Sequence, residues 1–186
     1  VTSNIPVTEK PRSITIRPDR MEKEYGQTIT EYTWSISDGS LAGDDQLEDL
    51  KINVTLTAGD AEKETCEVGT YEITEKAPTT VENQNYAVIF EPGILIVQPK
   101  PVDVVWNTDG TIIYTGKEAN VTAELSGVLF KDECKAVVED GNAVELGKYT
   151  ASIVGLTGEQ CYNYVLHGED TDYQIDYQIV KKEETK

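Results

Sequence analysis

The sequence predicts a mostly-β chain built as two tandem modules, each a small sheet with at most one short helix across it. Three observations carry that expectation. Apolar and polar residues alternate with period two along most of the chain. A pair of short motifs recurs at fixed spacing. A proline-bearing joint lies between the two copies.

The strands follow in order. Ile14 and Ile16 alternate with Thr15 and Arg17, and Ile52, Val54 and Leu56 alternate with Asn53, Thr55 and Thr57. Tyr71 and Ile73 follow a Gly-x-Tyr start, and Tyr86, Val88 and Phe90 form another strand. Ile94 to Val97 is all apolar, which predicts a strand buried on both faces. In the second half the same reading applies to Val102–Val104–Trp106, Val121–Ala123–Leu125, Cys134–Ala136–Val138, Tyr149–Ala151–Ile153 and Tyr173–Ile175–Tyr177–Ile179. Helix is scarce. Asp44 to Leu50 is the best candidate, with Asp44 or Asp45 as its cap. Gly127 to Asp132 is a weaker one.

Gly69-Thr70-Tyr71 is answered by Gly147-Lys148-Tyr149, and Asn85-Tyr86 by Asn163-Tyr164, at one and the same offset along the chain. Tyr25-Gly26 is answered loosely by Tyr114-Thr115-Gly116, and 11 extra residues fall after it in the first half. Leu41-Ala42-Gly43-Asp44 is matched with Leu125-Ser126-Gly127-Val128. The expected division is a linker over residues 1–12 from a preceding segment, modules over 13–98 and 102–182, a joint at 99–101 and a tail over 183–186. Proline after lysine, at Lys10-Pro11 and Lys100-Pro101, is expected to end strand pairing and stiffen the chain into a semi-rigid rod.

The net charge of −18 is spread evenly, −9 over residues 1–100 and −9 over 101–186. Such a surface repels nucleic acid and anionic lipid. No apolar run approaches the ~20 residues needed to cross a bilayer, so no membrane insertion by this chain is expected. Val1 opens directly into polar sequence, and both ends read as cut from something longer.

Little points to chemistry. His167 is the only histidine and sits in a polar stretch, so it reads as a surface residue. Asp44 to Asp49 and Glu169 to Asp172 are acidic, but neither has the spacing of a calcium loop, so both read as solvated loops. No cofactor, metal or catalytic residue is expected. Asn53-Val54-Thr55 and Asn120-Val121-Thr122 are sequons by chance, both in predicted strands. Of Cys66, Cys134 and Cys161, the last two share one half and could form a disulfide, which geometry would decide. Cys66 reads as a small apolar residue. Tyr25, Tyr71, Tyr86, Tyr114, Tyr149 and Tyr164 recur at matched places, which favours a role in the core over a glycan platform. Trp34 and Trp106 do not align, so if a ligand surface exists, Trp34 with Tyr32 is the first candidate.

The motifs Tyr25-Gly26, Gly69-Thr70-Tyr71 and Asn85-Tyr86, followed by a closing strand before Lys-Pro, resemble the MBG ("mostly β-grasp") repeats, including a YGX type. Residues 13–98 fit well. Residues 102–182 depart, with Tyr114-Thr115-Gly116 in place of Tyr-Gly. The resemblance implies a β-grasp-like fold; an Ig-like β-sandwich is the alternative. It also implies secretion, display on the surface or wall of a bacterium, commonly Gram-positive, and an adhesin, stalk or spacer role. It carries no catalytic residues. The function expected is a non-catalytic spacer whose partners are adjacent repeats of its parent chain. The alternative is an adhesin module that binds glycan, mucin or a host protein.

Overall fold

The computed structural model describes residues 9–183, and the two flanking pieces of the predicted linker and tail lie outside them. The chain divides into two compact units, Val1–Gln98 (module 1) and Pro99–Lys186 (module 2). Both are mostly β, as the alternation predicts.

Module 1 contains β1 (Arg12–Pro18), β2 (Met21–Glu24), β3 (Trp34–Asp38), β4 (Ile52–Asn53), β5 (Leu56–Thr57), β6 (Gly69–Glu75), β7 (Thr80–Val81), β8 (Tyr86–Phe90) and β9 (Gly93–Gln98). Two sheets dominate, ordered β3-β1-β8 and β2-β9-β6-β5, with β4 and β7 as a small extra pair. The first and last strands lie side by side in parallel. Arg12 opposes Tyr86 in β1·β8, and Met21 opposes Leu95 in β2·β9. The separation between partners along the chain is the same in both ladders, so they are two stretches of one register. The ladder is interrupted where the chain bends from one sheet into the other. Gly93 permits the bend, because a Cβ there would come within 2.7 Å of the Pro18 carbonyl oxygen.

Module 2 repeats this arrangement. Its strands are β10 (Lys100–Trp106), β11 (Thr111–Ile113), β12 (Ala123–Ser126), β13 (Lys135–Glu139), β14 (Gly147–Thr157), β15 (Tyr164–Leu166) and β16 (Gln174–Val180). The sheet orders β12-β10-β15 and β11-β16-β14-β13 match those of module 1 strand for strand. Again the terminal strands are parallel, with Lys100 opposite Tyr164 and Thr111 opposite Gln178. The 11 extra residues of module 1 are divided over the segments between β2 and β6, where β4 and a 3-10 turn at Gly59–Glu62 lie on either side of β5.

Apolar side chains of the alternating strands build the cores. Ile14, Leu50 and Tyr86 are buried under the β1 sheet, and Ala61, Ile73 and Leu95 under the β9 sheet. Module 2 centres on Val121, Ala151, Tyr177 and Ile179, with Trp106 and Tyr149 against them. Large and small residues are exchanged between the copies. Tyr71 faces Leu95 in module 1, and in module 2 Tyr149 faces Tyr177, their rings stacked 5.4 Å apart.

Several expectations are corrected. The helix over Asp44–Leu50 shrinks to one 3-10 turn, Leu47–Leu50. Its N-cap is Gln46, whose N–H donates to the Asp49 carboxylate at 2.8 Å, and Lys51 at φ 49° ends it. The turn inserts Leu50 into the core, which is why so short an element persists. No helix forms over Gly127–Asp132, where Phe130 and Lys131 both take positive φ. Ile94 is exposed while Leu95 and Val97 are buried, so β9 alternates instead of burying both faces. Lys100 and Pro101 do not end pairing; both lie inside β10. Pro101 has only β15 beside it, since the β12 ladder begins at Asp103, so its missing N–H interrupts no second ladder. Asn120 sits in a loop at φ 54°, outside any strand.

Candidate functional site

Four of the recurring tyrosines tie their hydroxyls to their own module. Tyr86 is buried at the end of the β1·β8 ladder. Its hydroxyl accepts the Ala42 N–H at 2.8 Å and donates to Asp45 Oδ2 at 2.6 Å. That donation pushes the phenol's ionisation up. Tyr164 repeats the device: its hydroxyl accepts the Leu129 N–H at 3.0 Å and donates to Asp132 Oδ2. The turn Ala42–Asp45 is therefore matched by Leu129–Asp132, so residues 41–44 correspond to 128–131 and not to 125–128 as the sequence comparison suggests. Asn85 and Asn163 are less alike. Asn85 is exposed and accepts the Arg12 N–H through its carbonyl at 2.8 Å, whereas Asn163 is buried.

The Gly-x-Tyr motif is a folded-back ring. Tyr71 donates its hydroxyl proton to the Glu67 carbonyl at 2.8 Å, and Tyr149 donates to that of Glu145 at 3.0 Å. Each ring lies over its own glycine, where a Cβ would come within 3.3 Å of the hydroxyl oxygen of Tyr71 over Gly69 and of Tyr149 over Gly147. Tyr25 and Tyr114 are equivalent through the backbone, donating their N–H groups to the carbonyls of Gln98 and Val180 at the ends of β9 and β16. Tyr25 is buried, but Tyr114 is 41% exposed. Gly26 and Gly116 both take positive φ in the turns that follow.

Tyr32 and Trp34 do not share one outward surface. Tyr32 packs against the Ala61–Ile73–Leu95 core, with its hydroxyl donating to Glu62 Oε1 at 2.9 Å and accepting the Ala58 N–H at 3.0 Å. Burial and the bond to Glu62 push this phenol up to about 12. Burial also raises the Glu62 carboxyl, but hydrogen bonds from Thr57, Ala58 and Tyr32 outweigh it and hold the group below the usual carboxylate range. Trp34 is half-buried opposite Pro18, while Trp106 lies opposite Ala123. The two tryptophans thus fill the same cross-strand position from opposite strands, which explains why they do not align.

One buried lysine is missed by the sequence reading. Lys23 is only 4% exposed and donates to the carbonyls of Lys63 at 2.6 Å and Gln27 at 3.0 Å. Burial lowers its pKa, partly opposed by nearby Cys66 and Glu62. The signal is present in the sequence: Lys23 sits midway between Met21 and Tyr25 at strand period. In module 2 the equivalent residue is Ile112.

Cys134 and Cys161 are joined by a disulfide, their Cα atoms 4.8 Å apart. Cys66 is free and half-buried at the edge of a module 1 core. His167 is exposed, with Nδ1 2.9 Å from Asp103 Oδ1. The acidic stretches are capping elements: Asp49 and Asp172 accept the N–H groups of Gln46 and Glu169. Among the described residues no group of three or more His, Cys, Asp or Glu side chains could hold a metal ion. The surface hollows are open depressions, such as one lined by Asp109, Lys148 and Asp176 in module 2.

The geometry defines two mostly-β modules of matching strand order with parallel terminal strands, in which the Gly-x-Tyr and Asn-Tyr tyrosines bond within their own module. Residues 14–96 match the MBG domain (YGX type), which covers nearly all of module 1. No curated protein and no solved structure matches the chain.

Proposed function

We propose that the chain is a non-catalytic spacer of a bacterial cell-surface protein, displayed outside the cell and flanked by further repeats of the same parent chain. One observation carries this reading: the hydroxyls of four tyrosines that recur between the modules are used in ties within their own module. The Tyr86–Asp45 and Tyr164–Asp132 ties are internal, as are the Tyr71 and Tyr149 turns. The match of module 1 to a surface-repeat family supports it, as does a charge of −18, which disfavours nucleic acid as a partner. No described helix is long and apolar enough to cross a membrane.

A second reading, an adhesin module for glycan, mucin or a host protein, is favoured by one asymmetry. Among the described residues, Ile89 and Ile94 are the exposed large apolar residues of module 1. Module 2 exposes several more, Val105, Phe130, Val154, Tyr162 and Val165 among them. Replacing the two modules within the parent protein by unrelated modules of equal length separates the readings. The spacer reading predicts unchanged cell adhesion after replacement and reduced adhesion after deletion. Loss of adhesion on replacement, together with saturable binding of the isolated chain to a glycan or mucin array, would establish the second reading instead.

A further inference from the structure

The path of the chain through each module has a mechanical consequence. Module 1 begins in β1 and ends in β9, and the β1·β8 and β2·β9 ladders are parallel in one register. The start of β1 and the end of β9 therefore lie at opposite ends of the interrupted ladder over residues 12–24, whose path along the chain is at most roughly 40 Å at about 3.3 Å per residue. Tension on the chain ends slides the terminal strands along each other. The bonds within each stretch of the ladder are then strained together instead of one after another. Pulling from one end of a ladder instead breaks its bonds singly. Module 2 also has parallel terminal ladders, β10·β15 and β11·β16, but their registers differ by three residues, Lys100 opposing Tyr164 and Thr111 opposing Gln178.

We propose that each module is a load-bearing clamp, whose parallel terminal ladder carries tension along the parent chain. The inference rests on the spacer reading for its purpose, since a spacer on a cell surface is pulled whenever what it carries is held. The two clamps differ in extent. Module 1 has five register pairs in β1·β8 and four in β2·β9, whereas module 2 has three in each of its ladders. Module 2 is therefore the first to yield. Its disulfide closes a loop of 27 residues and keeps about 90 Å of chain from extending, at about 3.3–3.6 Å per residue.

Single-molecule pulling on the full chain tests this. Handles at the two chain ends load the ladders in shear. Handles at the first residue and at Gln84, just before β8, pull β1 and β8 from the same end and open module 1 bond by bond. The clamp predicts two unfolding events in the first geometry, and a module 1 force at least twofold higher than in the second at equal loading rate. Reduction of the disulfide should lengthen the first, weaker event by about 90 Å, which identifies it as module 2. Equal or lower force in the end-to-end geometry overturns the clamp. Lengthening of the second event overturns the ranking of the modules. A strong end-to-end response with adhesion lost on replacement of the modules would remove the spacer reading and leave the clamp; a weak response with adhesion unchanged on replacement would do the reverse.

Discussion

Substituting Tyr86→Phe removes one oxygen from the repeat's central tie and leaves the buried ring in place. Two hydrogen bonds disappear, one from the Ala42 N–H at 2.8 Å and one to the Asp45 carboxylate at 2.6 Å. A neutral bond contributes about 1 kcal/mol net and one to a charged group about 1.5–3 kcal/mol. Ala42 and Asp45 are half-buried and regain some contact with water, so the lower part of the range applies. The expected loss is about 2–3 kcal/mol. Urea denaturation reads this as a fall in the midpoint of module 1 of about 1–2 M, at slopes of about 1–3 kcal/mol per M, with the slope unchanged. Because Asp45 also raises the ionisation of Tyr86, the tie stabilises the fold fully below the ordinary tyrosine range and is lost as pH rises through the folded value. Combining Tyr86→Phe with Asp45→Ala should cost less than the sum of the two, by about 1–2 kcal/mol. A loss under about 0.5 kcal/mol, less than one ordinary neutral hydrogen bond contributes, or strict additivity, would refute the claim that this tyrosine is a structural tie.

Three other outcomes are expected. Gly158→Ala should destabilise module 2 by more than about 3 kcal/mol in urea titration, since φ is +136° and the new Cβ would overlap the Glu133 carbonyl; Gly116→Ala, at φ +76° in open space, should cost about 1 kcal/mol. Reducing the Cys134–Cys161 disulfide should lower module 2 stability by about 3.5 kcal/mol on loop-closure entropy and leave module 1 unchanged, as read by calorimetry with and without reductant. Tyr32, with its pKa raised from 10.0 to about 12, favours folding below pH 10, and that contribution is lost as pH rises toward 12. Ultraviolet titration of tyrosinate should show one fewer late-ionising group in Tyr32→Phe than in the wild type.

The strands are legible because half-burial imposes a period of two, and the Gly-x-Tyr and Asn-Tyr spacings are legible because β14 to β15 keeps the length of β6 to β8. The tie to the acidic turn is not. Asp45 lies 41 residues before Tyr86, whereas Asp132 lies 32 before Tyr164, so no fixed offset aligns them. The Trp34 and Trp106 pair is hidden for another reason: equivalent space is filled from opposite strands, which a comparison along the chain does not detect. In the sequence the acids at 44–49 and 169–172 read as solvated loops, with a helix candidate only over the first, but two of them cap single turns, a role fixed by local backbone geometry. Tyr32 reads as a surface residue in the sequence because nothing there places Glu62 beside it, 30 residues away.

Exchanging the two modules within the parent protein for unrelated modules of equal length tests the spacer account most directly. The account predicts cell adhesion equal to the wild type after the exchange and lower adhesion after deletion. Adhesion lost on exchange as fully as on deletion would contradict it.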